Sequence, residues 1–287
     1  MRWTLRLALP LTILAAAAAA IVGPSAFAGS APGSDRPVGR ADLRGVNFIS
    51  ACRFSHRAPD DPIVSPGRPG ASHDHSFVAN TSTHAFSTVD SLRAASTTCQ
   101  RAGDTAAYWM PTLLVDGSPV APMGATIYYR RRTVDELRAF PPGLKMIAGD
   151  AHATAPQSLR VTFWNCGAMV GVPPSSTVPT CPDTRGSTLR LHVNFPSCWD
   201  GQSLDSADHQ SHMAYPQRLS CPASHPVAVP AISLIFRYPV TGGPNVELSS
   251  SEKYSAHADF FNGWDQRSLE RLVDKCLNKL SHCGRRR

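Results

Sequence analysis

Leu189-Arg190-Leu191-His192-Val193-Asn194-Phe195 alternates apolar and polar side chains from end to end. Successive side chains of an extended chain point to opposite faces. A period of two therefore marks a strand with one face buried and the other toward water. Four further stretches, Ala125–Arg131, Leu144–Ala148, Leu159–Trp164 and Ala231–Tyr238, share the β-branched and aromatic enrichment of strands. The 25 prolines divide the chain into short elements and leave little room for long helices. One helix is clear. Asp265 can cap its start, and Leu269, Leu272, Val273, Cys276, Leu277 and Leu280 recur at the spacing of one helical face. The expected fold is mainly β: an antiparallel β-sandwich or distorted barrel with long loops, disulfides and a C-terminal helix laid on the sheet.

Working outward, the first residues have the parts of a secretory signal peptide. Arg2 and Arg6 precede an apolar run from Leu7 to Val22, and Ala26-Phe27-Ala28 is a small-x-small cleavage site. The run is short for a membrane span of about 20 residues. We therefore expect a signal peptide over 1–28, a disordered leader rich in Gly, Ser, Pro and charge over 29–44, a single secreted domain over 45–283, and a basic tail over 284–287. The expected location is extracellular, with no membrane span after cleavage. The net charge is +7, and Arg2, Arg6, Arg285, Arg286 and Arg287 carry most of that excess. The body is nearly balanced, so nothing in it demands nucleic acid as a partner.

All eight cysteines, Cys52, Cys99, Cys166, Cys181, Cys198, Cys221, Cys276 and Cys283, follow the leader. An even count in an exported chain argues for disulfides, and no CxxC pair suggests a zinc ribbon or a redox site. Neighbours along the chain suggest Cys52–Cys99, Cys166–Cys181, Cys198–Cys221 and Cys276–Cys283. The last pair requires the helix to end before Cys283, because seven residues of continuous helix would hold the two too far apart.

Three segments gather groups able to do chemistry. In Gly70-Ala71-Ser72-His73-Asp74-His75, an extended chain points His73 and His75 the same way, a spacing that suits a zinc or copper site or a proton-transfer pair. In the segment from Asp205 to Tyr215, a helical turn would put His209 and His212 on one face, and Asp205 is placed to orient His209. Tyr215 adds a phenol. In His257-Ala258-Asp259-Phe260-Phe261-Asn262-Gly263-Trp264-Asp265, His257 and Asp259 form a further acid–base pair, while Asp265 reads as the helix cap. Trp109, Trp199 and Trp264 would line a sugar-binding cleft if exposed and belong to the core if buried. The chain has no GxSxG elbow, HExxH, P-loop or dinucleotide fingerprint. The expected mature N-terminus is Gly29, not the histidine of a copper histidine brace.

These segments carry a resemblance. Asp61-Pro62-Ile63-Val64-Ser65-Pro66-Gly67, Ser72 to His75, Tyr108-Trp109-Met110-Pro111-Thr112-Leu113 and Phe140 to Gly149 are similar to motifs of a secreted family of bacteria and fungi catalogued only as a domain of unknown function. So are Phe195 to Gly201, Leu204 to Ser206, Asp208 to Pro216 and His257 to Asp265. The resemblance covers most of Asn47 to Cys276. It implies association with cell-wall polysaccharide and no defined reaction. Ser76 to Asn80 lacks a glycine often found there, and Cys283 looks like an addition.

Three readings follow. The first is a carbohydrate-active hydrolase or lyase in which His73, His75, Asp205, His209, His212, Tyr215, His257 and Asp259 are catalytic and the three tryptophans hold substrate. The second is a metal-binding protein with zinc or copper on His73, His75, His209 and His212. The third is a non-catalytic module that binds extracellular polysaccharide.

Overall fold

A computed structural model of the chain describes residues 38–167, 171–251 and 253–283. The expected signal peptide, residues 29–37 of the leader and the basic tail lie outside the described residues. Residues 38–45 form a turn closed by hydrogen bonds such as Asp42 N to Gly39 O, 3.0 Å.

The alternating stretch forms the strand Arg190–Asn194 of a six-stranded sheet. The sheet runs in the order His282–Cys283, Asn47–Cys52, Gly124–Arg130, Ala231–Arg237, Arg190–Asn194, Thr162–Asn165. All neighbours are antiparallel except the first pair, in which His282–Cys283 lies parallel to Asn47–Cys52. As the period requires, Leu191 and Val193 are buried, while Arg190, His192 and Asn194 lie on the half-buried outer face. One expected strand is shorter than its sequence suggested. Leu159 is exposed because Val161 and Thr162 donate to Ser158 O in a turn, and the strand begins only at Thr162.

A five-stranded antiparallel sheet packs against the first. Its order is Phe54–Ala58, His75–Ala79, Ala107–Pro111, His257–Phe261, Lys145–Gly149. Tyr108, Met110, Met146, Ala258 and Phe260 face inward and share one core with Phe48, Ile127, Tyr129 and Leu234 of the other sheet. The architecture is thus a β-sandwich. The opposite face of the five-stranded sheet is also covered. Phe77, Trp109 and Phe261 pack there with Ile63 from the loop 59–72 and Leu92 from the helix Val89–Ala94. That short helix carries a capping box between Thr88 and Ser91.

A buried polar chain ties the two sheets together. The Trp264 indole donates to the Tyr129 hydroxyl at 2.8 Å, Tyr129 hydrogen-bonds Tyr108, and Tyr108 donates to Asp104 Oδ1 at 2.9 Å. Asp265 caps the closing helix through Ser268 N at 2.9 Å, and the helix Gln266–Leu272 widens into a π-turn over Val273–Asn278. Cys276 is buried and pairs with Cys283 beyond the helix end. The other disulfides are Cys52–Cys99, Cys166–Cys181 and Cys198–Cys221. No helix among the described residues is long and apolar enough to cross a membrane.

Candidate metal centre

The pairing of the five-stranded sheet builds the centre. Asp259 lies opposite Trp109, and Trp109 opposite Phe77. His257 and His75 stand two residues on from Asp259 and Phe77, so all four side chains share the outer face, and the histidines reach toward each other across the end of Ala107–Pro111. His73 approaches from the preceding loop. Its ring centroid is 4.3 Å from that of His75 and 5.2 Å from that of His257. One nitrogen from each of the three rings lies within 4.8 Å of the others. Asp61 and Asp259 each bring an oxygen within 4.8 Å of a His75 nitrogen and of one another. His75, His257, Asp61 and Asp259 are buried, and only His73 is half-exposed.

The hydrogen bonds fix which nitrogen is free. A backbone carbonyl can only accept, so the ring atoms facing carbonyls must be N–H donors. His75 Nδ1 donates to Asp60 O at 3.0 Å, and His257 Nδ1 donates to Ser255 O at 2.7 Å. Both neutral rings therefore carry their lone pair on Nε2. Among the described residues, His73 Nε2, His75 Nε2 and Asp259 Oδ2 are buried without a hydrogen-bond partner. Leaving such atoms unpaired costs about 1–3 kcal/mol each. Unpaired polar atoms in the two groups that meet at His75 call for a partner.

The electrostatics agree. Burial, reinforced by the neighbouring imidazoles, pushes His75 and His257 down to about 3, so both are neutral ligands at ordinary pH. Burial and then the charge of Asp61 push the Asp259 carboxyl well above the usual carboxylate range. A bound cation would offset both carboxylate costs at once. The covering loop is held in place by the Asp60 carboxylate, which accepts from Gly70 N at 2.9 Å and Ala85 N at 3.2 Å. Asp61 is held by Ile63 N at 2.8 Å and Val64 N at 2.9 Å.

The other residues singled out in the sequence lie elsewhere. His209 Nδ1 is 2.8 Å from Asp205 Oδ1, the orienting contact expected, but His209 has φ 57°, so the turn is not helical. His212 is buried, with its ring nitrogens bonded to Ser206 Oγ and Lys145 O. Lys145 and Gly149 are opposite ends of one strand, and it is Gly149 that pairs with His257. Neither His209 nor His212 joins the three-histidine group. Tyr215 is exposed and donates to Asn194 O, at the other sheet. Trp264 belongs to the buried polar chain, Trp109 is wholly buried in the second apolar cluster, and Trp199 is half-buried with its indole bonded to Ser203 O. Neither Trp109 nor Trp264 offers an open ring to a sugar. Two residues at the centre were not singled out as ligands. Asp61 lies within the Asp61 to Gly67 motif, which was its only signal. His152 is an isolated, exposed histidine whose charge is felt at His73.

Gly149 positions His257. Its φ is +91°, and a Cβ there would stand 2.4 Å from Ala256 O and 2.8 Å from His257 Cα. Gly149→Ala is expected to destabilise the fold by roughly 2–3 kcal/mol and to weaken any metal binding with it. Chemical denaturation checks the first effect, and an unchanged midpoint would contradict it.

Fold and centre together define a disulfide-bonded antiparallel β-sandwich with a buried histidine–carboxylate cluster on one sheet face. Residues 61–264 match the family described as Domain of unknown function (DUF1996), and the chain belongs to it. The match begins at Asp61 and spans all five residues of the cluster. No curated protein and no solved structure matches the chain.

Proposed function

We propose that this is an exported metal-binding protein whose centre holds zinc on His73, His75 and His257, with Asp259 or Asp61 as the oxygen ligand. The observation that supports this is the convergence of three neutral imidazoles, two of which, His73 and His75, have a buried Nε2 with no hydrogen-bond partner. Nitrogen and carboxylate donors in this number suit a tetrahedral zinc site, with copper as the softer competitor. The carbonyl partners of His75 and His257 are the outer contacts that metal-bound histidines use to fix ring and tautomer. The leader sequence and the four disulfides support export to an oxidising compartment.

A second reading, metal-assisted hydrolysis or lyase chemistry on polysaccharide, is favoured by the half-exposed His73 beside His152. Bound zinc would lower the pKa of a water to about 7, and His73 is the one half-exposed member of the group.

Metal analysis of the natively secreted protein tests the proposal. A single zinc per chain is expected, falling to trace in a His73→Ala, His257→Ala variant. Native protein without stoichiometric metal, and with no uptake of zinc or copper on titration, would end it. N-terminal sequencing of the same material should begin at Gly29, and a retained leader would refute the cleavage.

A further inference from the structure

The outer face of the six-stranded sheet carries charge that its own residues do not balance. Arg190 and Arg237 are directly opposite each other on neighbouring strands. Like charges so placed destabilise a sheet. Arg130 and His192 share that face, and the Arg130 guanidinium stacks on Tyr128 at 4.2 Å. Among the described residues, no ion pair joins Arg130, Arg190, His192 or Arg237 to a carboxylate. Among the described residues, the Nε atoms of Arg130 and Arg237 are buried without a hydrogen-bond partner.

The face runs into a cleft of about 830 Å³ at the other end of Ala231–Arg237. Asn194 and Ser233, which lie opposite each other in the sheet, line it. Arg40, Arg44, Arg132, Arg160 and Arg218 line it too, with no Asp or Glu among the lining residues. All five are exposed, and none of their guanidinium groups has an ion pair or hydrogen bond among the described residues. Arg131, by contrast, is buried and engaged by backbone carbonyls such as Val134 O at 2.7 Å. From Arg237 to Ala231 the tract extends roughly 20 Å along the strand before it enters the cleft.

We propose that this face and cleft form one binding tract for an acidic polysaccharide, a linear chain bearing repeated carboxylates. The length fits an extended polymer better than a single small anion. Planar guanidinium groups match carboxylates through paired hydrogen bonds. The aromatic rings of the face are already stacked, Tyr128 under Arg130 and Phe163 under His192 at 4.2 Å. The face thus lacks the open platforms on which single-stranded nucleic acid stacks its bases. The exposed ring of Tyr215 beside the cleft offers one flat surface to a sugar.

The test is retention of the full secreted chain on immobilised polygalacturonate at low salt, in chelator so that the outcome is independent of the metal centre. Neutral glucan and single-stranded DNA serve as comparison supports. Binding to polygalacturonate is expected, and it should weaken as salt rises. Arg190→Gln with Arg237→Gln, and separately Arg132→Gln with Arg160→Gln, should each weaken it about tenfold or more. The sheet pair should not lower the melting temperature, because it removes a like-charge contact. If that pair fails to fold, the exposed cleft pair carries the test alone. No retention of wild type, equal retention on neutral glucan, or full retention by the cleft pair overturns the proposal. Tighter binding to DNA overturns it in favour of a nucleic-acid tract.

Discussion

Zinc added to chelator-treated protein is expected to raise its melting temperature by about 10 °C. The size follows from linkage. A ligand present at about 1,000 times its Kd, and binding only the folded chain, contributes about 4 kcal/mol. At this chain length each kcal/mol moves the midpoint by about 2–4 °C. The stabilisation has a local cause. Without a cation, His75 is shared by two crowded groups, one with His73 and His257 and one with Asp61 and Asp259, each with ligand atoms within 4.8 Å of one another. The cation supplies the partner that His75 Nε2, His73 Nε2 and Asp259 Oδ2 lack. His75→Ala should abolish the response to zinc. Calcium and magnesium should give little shift, because hard cations favour cages made wholly of oxygen. An equal zinc response in wild type and His75→Ala would place the metal elsewhere.

The second large effect concerns Asp104, at the end of the polar chain between the sheets. It is fully buried, and burial pushes its carboxyl up to about 7 from an ordinary 3.8. Between those values the unfolded chain releases this proton while the folded chain keeps it. The folded state then binds more protons, so stability falls as pH rises through the window and levels off above about 7. Three pKa units correspond to roughly 4 kcal/mol. Asp104→Asn keeps an oxygen for the Tyr108 hydroxyl and never ionises. The variant should match wild type near pH 4 and melt up to about 10 °C higher above pH 7. Parallel stability curves for the two proteins across that range would show that Asp104 does not titrate as described.

What could be read from the sequence followed solvent exposure. Arg190–Asn194 alternates because one of its faces meets water, and its strand was legible for that reason. His75–Ala79, Ala107–Pro111 and His257–Phe261 are buried on both faces, so their sequences carry no alternation to read. The helix Val89–Ala94 is too short to display a helical period. At the centre, His73, His75, His257 and Asp259 stood out by type and spacing. Their meeting depends on strands far apart in sequence pairing across Ala107–Pro111, which no local pattern encodes. Asp61 was hidden because an Asp before a proline reads as a turn residue. His209 and His212 looked like ligands because a helical turn would align them, and the left-handed φ of His209 removes that alignment.

The pairing of His282–Cys283 beside Asn47–Cys52 constrains the order of assembly. The Asn47–Phe48 end of that strand keeps an open hydrogen-bonding edge until His282–Cys283 arrives, whereas its other end is covered by Gln100 N on Ala51 O at 2.9 Å and Arg101 Nε on Ile49 O at 2.6 Å. During synthesis that edge is a site where another chain can add a strand. Folding that waits for this segment removes the hazard, and the Cys276–Cys283 bond then fastens the late-arriving strand. Refolding at high concentration should accordingly yield aggregates more readily when residues from 282 onward are deleted, with light scattering as the measure.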